Sequence, residues 1–191
     1  MQATGVASRS AALALLVLIV GCSNTTGRPT AVDSPTTEPA PRTSEMTLHL
    51  TSPAFAEGGA IPSDYTCDGQ NLQLPVQWSG APAGTTEFAL IMDDPDARGF
   101  VHWVVTGIPA DVTGLADPLP AGAVQGRNDF GRAGYGGPCP PSGTHTYVVT
   151  LYALSAPLGL TGASTAAAVR SAAATNTLAT AVIRGTYRRS R

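Results

Sequence analysis

Lysine is absent from this chain. All 11 of its basic side chains are arginine, set against 13 acids and three histidines, for a formal net charge of −2. Charged residues are 13% of the composition, and the arginines gather into no stripe. Binding a phosphate backbone depends on clustered cations that release counterions, so nucleic acid is not the expected partner. Cysteine is scarce, with three in 191 residues. No apolar run reaches the roughly 20 residues of a membrane span. The longest, Ala11 to Val20, would rise only about 15 Å as a helix, half the thickness of a hydrocarbon core. No internal repeat recurs, no serine or cysteine sits in a nucleophile elbow, and no His/Asp/Glu spacing makes a metal site. Neither a metal nor a cofactor is therefore expected.

The short apolar run instead suits the middle of a signal peptide, preceded by Arg9 as its one positive charge. It closes on Ile19-Val20-Gly21-Cys22, which resembles a bacterial lipobox, in which the cysteine is acylated and becomes the new N-terminus. The expected organisation is a signal peptide over 1–21, a lipidated Cys22 with its tether over 22–45, and a folded domain over 46–191. The tether carries Pro29, Pro35, Pro39 and Pro41 among Thr, Ser and Asp. With almost nothing to bury, it cannot repay its ordering entropy, so disorder is expected there. The expected location is the extracytoplasmic face of the cell membrane, where two or more acyl chains anchor stably. Cys67 and Cys139 remain. Outside the cytoplasm the pair could oxidise to a disulfide, and two reduced, buried thiols are the alternative.

Within the domain, alternation of apolar and polar residues marks strands at Met46 to Thr51 and Leu74 to Trp78. Glu87 to Met92 and His102 to Thr106 are near-continuous apolar strands, and Thr144 to Leu154 is the clearest of all. The stretch from Ile108 to Asn128, rich in Gly, Pro and Ala, reads as irregular connection. Ser164 or Thr165 is placed to cap one helix running to about Ala174, before a last strand from Thr180 to Arg188. Many short strands and one late helix predict a mainly β sandwich.

Three polar clusters stand out. Asp94-Pro95-Asp96 follows an apolar strand, and the proline biases Asp94 away from helical backbone, holding the two carboxylates in a defined shape. His102 opens a strand whose other members are Trp and Val. Gly136 to Gly143, with Pro138, Cys139, Pro140 and Pro141, is a stiff, glycine-rich loop whose backbone can approach something closely. His145 and Tyr147 follow it two apart, so both point to one face. Histidine, phenol and loop amides on one face can all donate to an anion.

Together Tyr65 to Gly69, Asp94 to Ala97, His102-Trp103, Gly126 to Gly131, Gly134 to Pro141, His145 with Tyr147, and Gly185 to Arg188 resemble the phosphatidylethanolamine-binding protein family. The likeness is to its bacterial YbhB/YbcL-type branch and covers Met46 to Arg188. Each motif alone is weak, but seven in order are specific. The resemblance implies a Greek-key antiparallel β-sandwich with one short C-terminal helix and a preformed anion pocket at one end. It carries Asp94, His102, His145 and Tyr147 over as pocket residues and Gly137, Pro140 and Pro141 as the rim. Asp94 or Asp96 would accept from a histidine and keep it oriented or charged, raising its pKa. The family's usual Ser-Pro-Pro is Gln73-Leu74-Pro75 here, its His-Arg-Tyr is His145-Thr146-Tyr147, and a third histidine after the helix is replaced by Asn176.

The expected function is capture of a small anion, a phosphorylated ligand or a phospholipid head group, with the membrane reached through the anchor. Restraint of a protease or another envelope or host protein is the alternative, and hydrolysis is a third reading in which Cys139 would be the conceivable nucleophile.

Overall fold

The computed structural model describes residues 47–189; Cys22, its lipobox, the tether and Met46 lie outside them. The elements run β1 His49–Thr51, β2 Val76–Ser79, β3 Glu87–Asp94, β4 Phe100–Pro109, β5 Gly114–Leu115, β6 Val124–Gln125, β7 Thr144–Leu154, α1 Ala166–Ala173 and β8 Thr177–Arg188. They form two antiparallel sheets, a small one ordered β1-β2-β5 and a large one ordered β6-β4-β3-β7-β8. The fold is mainly β with one helix, and the non-sequential order of the large sheet fits a Greek-key path.

The pattern of each strand follows from what covers it. β3 is central in the large sheet and is buried on both faces. Phe88, Leu90 and Met92 pack toward the small sheet with Leu50, Val76 and Trp78. Ala89 and Ile91 pack the other way, against Ala166, Val169 and Ala173 of α1. A strand covered on both sides reads as a continuous apolar run. β7 has its outer face only partly covered, so its buried residues alternate at Tyr147, Val149, Leu151 and Ala153. At the centre of the sandwich, the rings of Trp78 and Phe88 lie 5.2 Å apart, tilted by 57°.

Of the two candidate caps, Thr165 is the N-cap of α1, with its hydroxyl accepting from Ala168 N at 3.3 Å. Ser164 turns back and accepts from Thr161 N. Three sequence readings need correction. β4 runs from Phe100 to Pro109, and β8 begins at Thr177, so both are longer than their apolar stretches. The segment read as wholly irregular contains the end of β4 and two short strands. β5 and β6 are two residues each, held by pairing to β2 and β4. Two residues are too few to show a period of two.

Candidate functional site

Three neighbouring strands of the large sheet, β4, β3 and β7, bring one polar residue set together at the same end. β3 ends in Asp94, whose backbone is extended (φ −116°, ψ 96°) because Pro95 follows it. The chain then makes a single 3-10 turn, Pro95–Ala97, capped by Asp94 itself: Oδ1 accepts from Ala97 N at 3.0 Å. Arg98 closes the turn in the left-handed region, at φ 60°. The other carboxylate oxygen, Oδ2, meets His145 Nδ1 at 2.7 Å. Asp94 is 2% exposed, and the side chain of His145 retains 14% exposure. Of the two candidate carboxylates, Asp94 therefore orients the histidine. Asp96 is exposed and accepts from the backbone N–H of Thr146 at 2.7 Å, pinning the turn to β7 beside His145.

His102 reaches the set through an irregularity. Along the β3–β4 ladder Met92 stands opposite Trp103 but Asp93 stands opposite Val101, so His102 is the extra residue of a β-bulge. Val101 and Val104 pack on the helix side, and Trp103 and Val105 pack in the sandwich core. Without the bulge, His102 and Trp103 would face opposite ways; with it, both turn inward. The ring of His102 then meets that of Tyr147 edge-on, with centroids 5.1 Å apart at 89°. His102 is 3% exposed and donates from Nδ1 to Gly136 O at 2.7 Å, while Gly136 N donates to His102 O at 2.9 Å. Burial pushes its pKa down, against the opposing effects of the Gly136 carbonyl and the Asp94 charge, so the imidazole is neutral.

Tyr147 is fully buried, and its hydroxyl makes no well-formed hydrogen bond among the described residues, although the Asp94 carboxylate and the Cys139 backbone N–H both lie close enough to act on it. Burial first and the negative charge of Asp94 second push its pKa well up. It remains a neutral phenol, able to donate.

The loop Gly136 to Pro141 is braced from one side by the segment Tyr65 to Asn71. Tyr135 Oη donates to Tyr65 O at 2.8 Å, Gly137 N donates to Asn71 Oδ1 at 2.7 Å, and Cys67 N donates to Pro138 O at 3.1 Å. Cys67 and Cys139 are joined as a disulfide, with Cα atoms 5.4 Å apart. Glycine is required at 137, where a Cβ would lie 2.4 Å from Tyr65 O and 2.6 Å from Asn71 Oδ1. At 136 a Cβ would lie 2.4 Å from the ring of Phe130, an exposed side chain that would have to shift. Pro140 is buried under the loop and Pro141 is exposed at its edge.

The sequence reading missed several contributors. A cavity of about 250 Å³ beside the loop is walled by Asn71, Phe130, Arg132, Gly136, Gly137 and the disulfide. The ring of Phe130 is 45% exposed, with the Arg132 guanidinium 5.8 Å from its centroid. A second cavity, about 440 Å³, shares the Asn71 wall and is lined by Tyr65, Gln73, Gln125 and Tyr135 among others. Asn71, a non-glycine residue at φ 55°, carried no visible signal beyond its place near a turn. Among the described residues, no group of His, Cys, Asp and Glu has the geometry of a metal site. No helix there is long and apolar enough to cross a membrane.

Comparison with known proteins agrees with this architecture. The family described as phosphatidylethanolamine-binding protein matches residues 51–188. A UPF0098 protein of Methanothermobacter thermautotrophicus is 46% identical over 150 residues, 74% of this chain and 99% of its own length. A Mycobacterium tuberculosis protein named "Putative lipoprotein LppC" is 44% identical over 183 residues, 86% of this chain and 89% of its own. Escherichia coli YbcL, described as a member of the mammalian PEBP family, superimposes with a TM-score of 0.71 at 37% identity, covering 75% of this chain and 99% of YbcL. The chain belongs to the phosphatidylethanolamine-binding protein family.

Proposed function

From membership of that family and from the site's chemistry, we propose that the domain binds a small oxyanion, free or as part of a phosphorylated ligand or lipid head group. The observation that carries this reading is the buried Tyr147 hydroxyl. It is a neutral donor with no well-formed bond of its own, set against His102 and on the same strand face as the Asp94-oriented His145. A buried donor left unpaired costs about 1–3 kcal/mol, a cost that an oxyanion seated beside it would remove. The bracing of the loop Gly136 to Pro141 supports a site that needs little ordering on binding.

Binding, rather than turnover, is the proposed activity. The sulfur of Cys139, the one nucleophile considered from the sequence, is bonded to Cys67. Anchoring through Cys22 belongs to the same proposal. It is supported by the lipobox pattern and by the name of the M. tuberculosis relative, whose similarity extends past the described residues. The anchored domain would then meet its ligand at the extracytoplasmic membrane surface.

The test is calorimetric titration of the full chain, in detergent, with dimethyl phosphate, inorganic phosphate and acetate, beside His102→Ala and His145→Ala variants that keep the wild-type circular dichroism. The expected result is saturable binding of at least one anion, weakened tenfold or more in both variants. Equal affinity in all three proteins would refute the pocket assignment. Mass spectrometry of the membrane-extracted chain tests the anchor: an unmodified Cys22 would refute it.

A further inference from the structure

The cavity of about 440 Å³ that shares the Asn71 wall lies outside the anion site: none of Asp94, His102, His145 and Tyr147 lines it. Its size falls within the roughly 300–1,000 Å³ of small-molecule pockets. Among the described residues no basic side chain lines it, and one carboxylate, Asp117, does. Asp117 is exposed and joins none of the ion pairs of the described residues. A wall with one acid and no cation repels phosphate and carboxylate. Whatever this cavity takes is of a different class from the ligand of the anion site.

Its hydrogen-bonding directions are fixed from behind by groups that can only donate. The Trp103 indole N–H donates to Gln125 Oε1 at 2.8 Å, so the Gln125 amide nitrogen faces Gln73 and donates to its Oε1 at 3.3 Å. That leaves the Gln73 nitrogen as a donor, enclosed and without a partner among the described residues. On the shared wall, Gly137 N–H donates to Asn71 Oδ1 at 2.7 Å, which leaves the Asn71 amide nitrogen as a second donor. The Tyr135 hydroxyl proton goes to Tyr65 O at 2.8 Å. Two amide donors and one carboxylate acceptor thus border one space, beside the half-buried ring of Tyr65.

We propose that this second cavity binds one ring of an uncharged sugar or cyclic polyol. A hydroxyl both donates and accepts, so neighbouring hydroxyls can accept from the Asn71 and Gln73 amides and donate to Asp117. The C–H face of such a ring packs on a tyrosine, whose body is apolar. An ammonium ion would satisfy Asp117 alone and leave both amide donors unmatched. An apolar ligand would leave all three polar groups unmatched, and polar groups buried without partners are costly. The proposal is independent of the anion reading, because it uses none of that site's donors.

The experiment is saturation-transfer nuclear magnetic resonance on the full chain, in a detergent that carries neither sugar nor phosphate. The probes are methyl glucoside, methyl galactoside, methyl mannoside and myo-inositol, with tetramethylammonium beside them. At least one of these polyols is expected to show saturable transfer that dimethyl phosphate does not displace. Gln73→Ser, which installs the residue the family usually has there, should weaken that binding about tenfold, and so should Asp117→Asn. Both variants should keep the wild-type circular dichroism and dimethyl phosphate affinity, and where one fails to fold the other decides.

Absence of saturable transfer to every polyol overturns the proposal and leaves the anion site untouched. Polyol affinity that is unchanged in both variants overturns the placement in this cavity. So does displacement by dimethyl phosphate, which would put the polyol in the anion site. Tighter binding of tetramethylammonium than of every polyol overturns the ligand class. Loss of dimethyl phosphate binding alone, with polyol binding kept, refutes the anion reading and supports this one.

Discussion

Replacing Cys67 and Cys139 together by serine removes the one covalent tie between the segment before β2 and the pocket loop. The bridge spans 72 residues of sequence. In the chain-entropy model, freeing a loop of that length returns about 15 cal/mol/K to the unfolded chain, roughly 4 kcal/mol at 25 °C. Unfolding residues 47–189 carries an entropy of about 300 cal/mol/K, so the melting temperature should fall by about 14 °C. Three hydrogen bonds still join the two segments: Tyr135 Oη to Tyr65 O, Gly137 N to Asn71 Oδ1 and Cys67 N to Pro138 O. Native geometry should therefore survive, and the loss should be one of stability alone. Scanning calorimetry of wild type and the double serine variant measures it, with dimethyl phosphate affinity taken at 20 °C in parallel. A melting temperature within 3 °C of wild type would refute the entropic account. A folded variant that has lost anion binding at 20 °C would refute the claim that the hydrogen bonds suffice to hold the loop.

Three further outcomes follow from the site's burial. Tyr147→Phe removes a buried hydroxyl that makes no well-formed hydrogen bond, so it should leave stability unchanged or raise it by up to about 1–2 kcal/mol while weakening anion binding. A clear loss of stability in denaturant melts would show that the hydroxyl is satisfied in solution. His102 has its pKa lowered by burial in the fold, so the unfolded chain binds more protons below the unfolded histidine value near 6.5. Its contribution is whole above that pH and declines as pH falls toward the folded value. Denaturant midpoints from pH 8 to 5 should thus fall more steeply for wild type than for His102→Phe, and parallel curves would contradict the buried neutral assignment. Gly137→Ala places a Cβ 2.4 Å from Tyr65 O and should cost about 1–3 kcal/mol in the same melts, whereas an unchanged midpoint would mean the loop stands off from Tyr65.

How far the sequence could be read depended on whether a feature had a local cause. β7 was legible to the residue because a long strand with one well-covered face shows its period, and α1 was legible because Thr165 and the alanines act within one turn of each other. The Asp94 backbone followed from Pro95 alone. β5 and β6 were not legible, since their only support is pairing to strands far away in sequence. Asn71 and Tyr135 act on the pocket through partners 66 and 70 residues distant, and nothing near them announces it. The second cavity is similar: Trp103 Nε1 donates to Gln125, whose amide donates to Gln73, residues that look like ordinary surface glutamines in the sequence.

The two histidines mark the deeper limit. His102-Trp103 identifies a residue type at a place, and strict alternation would have sent that histidine to the helix side of the sheet. Only the skipped pairing between Met92 and Asp93 turns it inward onto Tyr147. Once there, its value to an anion depends on which nitrogen holds the proton, and that is decided by Gly136 O, 34 residues away. The same holds for His145 and Asp94, which are 51 residues apart. Residue identity supplies a list of possible donors. The Gly136 carbonyl and the Asp94 carboxylate, both distant in sequence, decide which nitrogen of each ring is left to face a ligand.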